Sequence, residues 1–385
     1  MQFLERMGSF MLTRKNTKQL KGMAVLLMLT HHLFTFPDRV PFGLNLTNNI
    51  ILNETIISLI GKFGQICVPI FMFLGGYGLY ASCVSKEKDE IRNDLVNKII
   101  NLYKSYWKVF LIFVPIGILF FSKQPHFSNA DFGSSFYNIS GYKIISTFLG
   151  IESCFNYEWW FFKSYLFALF EGFIFLELFL KNKNRYLEIV CVILWYITIS
   201  SFLPSIISLN NLSNLVNNFW YSNLFSISSY SVLFFMGIIF SKYDIFQYWN
   251  DFIENLAIVE KIVIALFVLS FCLYIKSTII TSNLDILLVP IVCFTTLMLI
   301  NSISILSKIL FFIGKNSTNM WLTHTFYCYY FYPFVKIVYG SRNALVAFIT
   351  LVILSLITSI LIDIFWKYIS KLYNQIHMFL LSKGY

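Results

Sequence analysis

Long apolar runs separated by short polar connectors dominate this 385-residue sequence. A helix rises 1.5 Å per residue, so about 20 apolar residues cross the roughly 30 Å hydrocarbon core of a bilayer. Ten runs approach that length and predict ten transmembrane helices. They cover residues 20–37, 62–82, 102–121, 157–180, 186–205, 227–241, 257–275, 284–303, 316–335 and 343–366. The pattern therefore predicts an all-α, polytopic membrane protein built as a bundle of about ten helices.

The composition supports a membrane protein and argues against a soluble one. Hydrophobic residues make up 57% of the chain and charged residues only 12%, whereas soluble domains contain roughly 25% charged residues. Because the connectors are short, we expect one integral membrane domain over residues 1–385. The first apolar run follows Lys21 and ends without a small-x-small cleavage pattern, so we expect a retained span rather than a signal peptide.

The net charge of +10 is distributed as expected for loops on one side of a membrane. Most Lys and Arg residues fall at the ends of the apolar runs that lie on the side of the N-terminus. The opposite side receives few, namely Arg39, Lys123, Lys143, Lys276, Lys336 and Arg342. Cytoplasmic loops carry an excess of basic residues, so we predict both termini in the cytoplasm and location in the cytoplasmic membrane. Nucleic acid is not an expected partner.

The predicted outer loops are residues 38–60, 122–156 and 206–226. The second is the longest non-spanning segment, and Lys143–Leu149 within it has the pattern of a short amphipathic helix. The seven cysteines are scattered, mostly inside apolar runs, and form no CxxC pair or disulfide framework. We interpret them as small packing residues.

The first predicted span carries a pair of adjacent histidines. Ionisable groups within a span are costly and are therefore candidates for function. His32 lies eleven residues after Lys21, about 16 Å further along a helix and close to three full turns, so the two share one face. His31 points about 100° away and is interpreted as a structural neighbour.

A second histidine lies at a similar depth in the ninth predicted span. His324 follows Lys315 by nine residues, which corresponds to about 13 Å along a helix. Imidazoles exchange protons near neutral pH, so such a pair suits general acid–base chemistry. A metal site would need further ligands from Glu158, Asp285 or a cysteine, and their spacing does not support one. We expect no metal.

The start of the fourth predicted span combines charge with aromatic residues. Glu158 precedes the pair Trp159-Trp160, and Lys163 follows. Glu158 and Lys163 are five residues apart and face each other poorly on a helix, so each needs a partner elsewhere, which favours a polar cavity. The tryptophans fit two interpretations, an interfacial belt or a platform on which a sugar stacks.

The second predicted span contains the segment Phe71–Gly78, with glycines at 75, 76 and 78 around Tyr77. Glycines allow the close approach of another helix or of a ligand. This is not a phosphate-binding loop, because no strand–turn–helix pattern surrounds it.

Together these segments resemble the acyltransferase-3 family of membrane acyltransferases. The family has a basic residue, ten intervening positions and a histidine in its first span, which match Lys21 and His32. A Phe-rich, Gly-containing motif matches Phe71–Tyr77, a Trp-Phe motif matches Trp159-Trp160-Phe161, and a late Gly-x-x-Ser motif ending in histidine matches Gly314, Ser317 and His324.

The sequence departs from the family pattern at three places. The family often has Arg where this chain has Lys21, and Ser where it has Gly75. Its basic motif after the second span is matched best by Lys98 and Asn101, with Lys104 or Lys108 as substitutes.

The resemblance implies an enzyme that moves an acetyl group from acetyl-CoA to a hydroxyl of a surface polysaccharide or a lipid-linked glycan precursor. It implies His32 as the catalytic base, with His324 and Glu158 as further catalytic residues. Both direct transfer and an acyl-histidine intermediate remain open. The implied contacts to the donor phosphates come from Lys21, Lys98 and Lys104, and those to the acceptor from Trp159, Trp160 and Tyr77. The expected partners are the acyl-CoA donor, the glycan acceptor and the lipid bilayer, and association into a homo-oligomer is left open.

A transporter or flippase is the alternative function, in which the intramembrane His, Lys and Glu residues would be coupling groups. It predicts inverted repeats and broken helices in matching halves, which the sequence does not reveal. A membrane glycan polymerase is a third function, but it would need a large outer loop richer in charge than 122–156.

Overall fold

A computed structural model describes residues 12–40, 44, 46, 54–121, 140–182, 184–199, 219–279 and 284–382. These residues form α-helices joined by short turns and contain no strand. The helices are α1 (Arg14–Phe34), α2 (Glu54–Gly64), α3 (Cys67–Cys83), α4 (Lys88–Phe120), α5 (Gly141–Phe148), α6 (Trp160–Phe179), α7 (Arg185–Ile197), α8 (Phe219–Lys242), α9 (Ile245–Ile253), α10 (Ile258–Thr278), α11 (Asp285–Ser302), α12 (Ser304–Thr325), α13 (Tyr332–Tyr339) and α14 (Ala344–Ser382).

Five helical segments of the described chain are long and apolar enough to cross a membrane. They are Thr55–Cys83, Lys88–Phe120, Ile258–Thr278, Asp285–Ser302 and Ala344–Phe379. This confirms an all-α, multi-pass membrane protein, while the count of ten spans and the cytoplasmic termini stay predictions. Much of the predicted outer loops lies outside the described residues, including 47–53, 122–139 and 206–218.

The ninth predicted span differs most from the structure. Helix α12 begins at Ser304, well before the predicted start at 316, and the continuous helix predicted up to 335 is wrong. A π-helical turn, Phe326–Tyr330, follows α12, and Phe331 is extended before α13 begins. The cause is Pro333 near the start of α13. Proline lacks an N–H, and its ring would clash with the carbonyl four residues earlier, that of Tyr329, if the helix continued regularly.

The amphipathic helix expected at Lys143–Leu149 is confirmed as α5. Its last carbonyl groups have no partner within the helix, and side chains of α4 supply donors instead. The hydroxyl of Tyr106 donates to the Thr147 carbonyl at 2.6 Å, and the Trp107 indole N–H donates to the Phe148 carbonyl at 2.8 Å. Both interactions hold the end of α5 against α4.

The contacts of the chain divide it into two compact units. Unit 1 comprises residues 1–31, 59–99 and 159–314, and unit 2 comprises residues 32–58, 100–158 and 315–385. Boundaries fall inside the continuous helices α1, α4 and α12. The units are therefore interleaved in sequence, and the organisation as a single domain stays a prediction.

In unit 1, α3 packs against α6 and α8, and α10 packs against α11. Glycines allow backbones to approach closely at two crossings. A Cβ at Gly76 would collide with the Phe234 carbonyl of α8, and one at Gly237 would collide with the Phe73 carbonyl of α3. Gly78 has open space around it. The glycine-containing segment of the second span thus serves helix packing at Gly76.

The second crossing joins α1 to α12. A Cβ at Gly22 would collide with the Leu310 carbonyl, and one at Gly314 would collide with the Lys18 carbonyl. The two glycines also face each other. A Cβ added to either one would lie about 3 Å from the backbone nitrogen of the other. Only a residue without a side chain fits such a contact.

Two buried ion pairs join helices within unit 1. Lys276 of α10 lies 2.7 Å from Asp285 of α11, with side chains 2% and 5% exposed. Lys242 of α8 lies 2.5 Å from Glu188 of α7, and it also donates to two backbone carbonyls. Such low exposure makes each charge dependent on its partner.

Unit 2 has an aromatic core around the break after α12. The Phe331 ring stacks on Phe121 at a centroid distance of 4.1 Å, and Phe113 lies 4.7 Å from Phe326. Phe331, Tyr329 and Tyr330 are all nearly completely buried. The π-helical turn is therefore fixed by packing on both sides.

Candidate active site

His32 and His324 meet in unit 2. Their imidazole centroids lie 4.9 Å apart, with the ring planes inclined by 53°. His32 is half-buried near the end of α1, and His324 is completely buried near the end of α12. The two residues that the sequence placed at similar depths on different helices are therefore neighbours.

The environment of His324 determines which ring nitrogen carries its proton. Nδ1 lies 2.7 Å from the backbone carbonyl of Trp321 in the preceding turn. A carbonyl oxygen only accepts hydrogen bonds, so Nδ1 is the donor. In the neutral imidazole Nε2 is then the basic nitrogen. Helix α12 itself imposes this tautomer.

Tyr329 connects the π-helical turn to His32. Its hydroxyl lies 2.5 Å from the backbone carbonyl of His32 and 3.3 Å from His32 Nδ1. The two rings meet edge to face at a centroid distance of 5.7 Å. His32 thus has aromatic or imidazole neighbours in His324 and Tyr329, and Phe36 stacks at 6.2 Å.

Glu158 lies in a second network of contacts within unit 2. One carboxylate oxygen forms an ion pair with Arg39 at 2.9 Å, and the other accepts from the Tyr330 hydroxyl at 2.6 Å. The Tyr330 hydroxyl in turn accepts from the backbone N–H of Tyr157 at 3.1 Å. Both carboxylate oxygens therefore have charged or hydroxyl donors, and a catalytic role of Glu158 stays a prediction.

Arg39 lies over aromatic rings as well as beside Glu158. Its guanidinium carbon is 4.2 Å from the Phe36 ring centroid and 5.1 Å from that of Tyr329. Burial alone would lower the pKa of Arg39, but Tyr329 and Glu158 favour the charged form more, so the pKa is raised. The Arg39 guanidinium therefore stays charged.

Asn156 ties the segment before α6 to the end of α12. Its side-chain amide donates to the Thr325 hydroxyl at 2.8 Å, and its carbonyl oxygen accepts from that hydroxyl at 3.1 Å and from the Glu158 backbone N–H. Asn156 and Thr325 are both buried. Thr325 follows His324 directly, so this contact fixes the helix end that carries the histidine.

The residues assigned to the acceptor, Tyr77, Trp159 and Trp160, all belong to unit 1. In unit 1, Tyr77 is buried, stacks on Phe246 and accepts from the Leu12 backbone N–H at 3.2 Å. Trp159 is 2% exposed and Trp160 is 37% exposed. Only Trp160 therefore offers a surface on which a sugar could stack, and acceptor binding by these residues stays a prediction.

The three lysines assigned to the donor differ in their surroundings. Lys98 lies 2.6 Å from Asp94 and donates to Ser82. Lys86 pairs with the same carboxylate oxygen at 3.1 Å, so the charge of Lys98 is only partly balanced. Lys104 is exposed on α4, and Lys21 is half-buried on α1. Donor binding by these lysines stays a prediction.

His31 has a different environment from its neighbour. Its Nδ1 lies 3.0 Å from the Gly61 backbone carbonyl of α2 in unit 1, as expected for a structural residue. Among the residues that the structure describes, no group of three or more His, Cys, Asp or Glu side chains could hold a metal ion.

Sequence reasoning missed Arg39, Asn156, Tyr329 and Tyr330. One signal was present for Arg39, because it is one of few basic residues in the predicted outer loops. The tyrosines lie in the aromatic run 326–332, where periodicity predicts a uniform helix and cannot identify the members that donate hydrogen bonds. Asn156 lies in an irregular segment with no periodic pattern.

The site consists of two neighbouring imidazoles supported by a buried, hydrogen-bonded framework, on a chain built to span a membrane. The family model described as an acyltransferase domain, acyltransferase-3, matches residues 17–364, nearly the whole chain. No curated protein and no solved structure matches significantly. The matched region includes His32, Glu158 and His324 together with the elements that carry them. This chain belongs to the acyltransferase-3 family of membrane acyltransferases.

Proposed function

We propose that the protein transfers an acetyl group from acetyl-CoA to a hydroxyl of a surface polysaccharide or a lipid-linked glycan precursor, with His32 as the base. The observation that carries the proposal is the 4.9 Å contact between the His32 and His324 rings. Acyl transfer to a hydroxyl requires a group that removes the hydroxyl proton and a group that returns a proton to the leaving thiolate. Two adjacent imidazoles supply both.

In the proposed step the acceptor oxygen attacks the thioester carbonyl while Nε2 of His32 takes the hydroxyl proton. The carbon–sulfur bond then breaks, and the thiolate receives a proton from the imidazole pair, giving an ester and free CoA thiol. Such proton transfer typically contributes 10²–10⁴-fold to the rate. His324 shares the proton with His32. An acyl-histidine intermediate uses the same residues, with His32 as nucleophile.

The surroundings of Glu158 favour a supporting role over proton transfer. Its two oxygens already accept from Arg39 and Tyr330, so a proton arriving at either oxygen would compete with one of these contacts. We therefore propose that the acid–base work falls to the histidines and that Glu158 maintains the framework next to them.

Donor binding is proposed from charge and predicted topology. Phosphates of acetyl-CoA would be neutralised by lysines at the cytoplasmic ends of the spans, Lys21, Lys98 and Lys104. Of these, Lys104 is exposed and Lys98 is bonded to Asp94. Lys98 therefore contributes less than its formal charge unless Asp94 moves.

The test is transfer of labelled acetyl from acetyl-CoA to endogenous glycan in membranes that contain the protein. His32→Gln should lose transfer by at least the 10²-fold expected for a general base. His31→Gln is the matched control, because its side chain contacts Gly61 instead, and it should retain transfer. Both variants should be inserted at wild-type level.

Two results would reject the proposal. Full transfer by His32→Gln would show that His32 is not the base. A membrane with the wild-type protein that transfers no label would favour the transporter or flippase. The interruption of the helix at Phe331 also fits a transporter. The labelled product therefore decides between an acyltransferase and a transporter.

A further inference from the structure

Tyr329 is the one phenol whose hydroxyl reaches both the backbone and the ring of His32 among the described contacts. Its oxygen lies 2.5 Å from the His32 carbonyl oxygen and 3.3 Å from His32 Nδ1. The residue is completely buried. Tyr329 belongs to the π-helical turn Phe326–Tyr330 that follows α12.

The shorter contact assigns the single phenolic proton. Two oxygens at 2.5 Å need a hydrogen between them, and a carbonyl oxygen cannot supply it, so Tyr329 is the donor. Towards His32 Nδ1 the same hydroxyl then presents only a lone pair. A hydrogen bond there requires Nδ1 to carry a proton. In the neutral ring Nε2 is left unprotonated.

The framework around Glu158 keeps Tyr329 in this position. The Arg39 guanidinium lies over the Tyr329 ring at 5.1 Å and is itself held by Glu158 at 2.9 Å. The next residue, Tyr330, donates to the other oxygen of Glu158. Two neighbouring residues of the turn, Tyr329 and Tyr330, thus contact the same ion pair.

We propose that Tyr329 is a positioning residue that fixes the Nδ1–H tautomer of His32, so that Nε2 is the nitrogen that accepts the proton of the acyl acceptor. The inference rests on the proposed function for its catalytic consequence, but the tautomer itself does not depend on it. His324 obtains the same tautomer from its own helix through Trp321. The contact to His32 Nδ1 comes from a side chain of another element, so it can be removed without altering α1.

The variant that tests this is Tyr329→Phe. It keeps the ring, its edge contact with His32 and the aromatic face under Arg39, and it removes only the hydroxyl. Tyr327→Phe is the matched control, because Tyr327 lies in the same turn but its hydroxyl contacts Thr358 at 2.5 Å. Comparing the two separates loss of the His32 contact from any general weakening of the turn.

The first readout is ¹⁵N NMR of the histidine-labelled full-length protein in lipid. The chain has only five histidines, and the spectrum of His32→Gln identifies the His32 signals. We expect a protonated Nδ1 and an unprotonated Nε2 for His32 in the wild type and in Tyr327→Phe. In Tyr329→Phe we expect the Nε2–H tautomer to become populated.

The second readout is the kinetics of acetyl transfer. Loss of a group that orients a functional histidine typically costs about 10–100-fold in activity. We expect that loss in kcat for Tyr329→Phe, with KM for donor and acceptor unchanged, and near-normal kcat for Tyr327→Phe. A merely structural effect would lower the amount of folded enzyme or affect both variants alike.

The outcomes separate this inference from the proposed function. An Nε2–H tautomer of His32 in the wild type, or an unchanged tautomer and kcat in Tyr329→Phe, overturns the role of Tyr329. An Nδ1–H tautomer that is lost in Tyr329→Phe supports it, even if the wild type transfers no acetyl group. Absence of acetyl transfer by the wild type would reject only the proposed function.

Discussion

Alanine at Gly76 tests the backbone contact between α3 and α8 in unit 1. The new Cβ would collide with the Phe234 carbonyl oxygen and lie 2.7 Å from its carbon, where ordinary contact begins at 3.4 Å. Backbone atoms cannot rotate away as a side chain can. Relieving the contact with the carbon alone would separate the helices by about 0.7 Å, and the closer oxygen requires more. A gap of about 0.7 Å already forfeits about a quarter to a half of the dispersion energy of the contacts that it opens.

The expected cost follows from two opposing terms. Overpacking a well-packed contact costs about 1–3 kcal/mol, and collision with a backbone places Gly76→Ala in the upper part of that range. The gain in helix propensity from Gly to Ala returns up to about 1 kcal/mol. Gly78→Ala gains the same propensity without a collision, because no atom lies within 4 Å of its new Cβ. The difference between the two variants therefore isolates the steric cost, about 2–3 kcal/mol.

The assay is reversible unfolding of the purified protein in mixed micelles, followed by tryptophan fluorescence. Gly76→Ala should unfold at lower denaturant concentration than the wild type, and Gly78→Ala at an equal or higher one. The same ranking should appear in thermal unfolding. Equal stability of the two variants would refute the argument that the backbone contact at Gly76 excludes a side chain at that position.

Two further predictions concern buried polar contacts. Tyr330→Phe removes a donor to a carboxylate and an acceptor for a backbone N–H. It should lower the free energy of unfolding by about 2–4 kcal/mol, and a double-mutant cycle with Glu158→Gln that shows no coupling would contradict the hydrogen bond. Lys276→Met should destabilise by about 3–5 kcal/mol, because it leaves Asp285 buried without its partner. The double variant with Asp285→Leu should recover most of that loss in the same unfolding assay, and a loss as large as that of the single variant would contradict the pairing.

Hydrophobic periodicity predicted the class of fold and most helices. Five segments of the described chain are confirmed as long and apolar enough to span a membrane, and α10 and α11 begin within a residue of the predicted spans. Helix ends at polar residues were less predictable. The polar run around Asn316 predicts a helix boundary from sequence. Within α12, however, the Asn316 side chain and backbone accept from the Ser359 hydroxyl. This hydrogen bonding allows the polar residues to lie inside the helix.

The site was predictable where it depends on one helix and not where it depends on contacts between elements. Spacing along α1 and α12 was enough to nominate His32 and His324, and the structure places their rings in contact. The partners of Glu158 are 119 and 172 residues away in sequence. Local hydrophobic periodicity cannot predict these pairs, because an ion pair or hydrogen bond between residues far apart in sequence produces no periodic pattern.

The unbroken course of α1 from Arg14 to Phe34 constrains how this chain can change over evolutionary time. Inserting or deleting one residue between Lys21 and His32 would turn the imidazole by about 100° and shift it by about 1.5 Å. His324 and Tyr329 would then face another side chain. Individual residues in the interval can be exchanged as long as they pack, whereas its length cannot change. In this stretch, insertions and deletions are therefore less tolerated than substitutions.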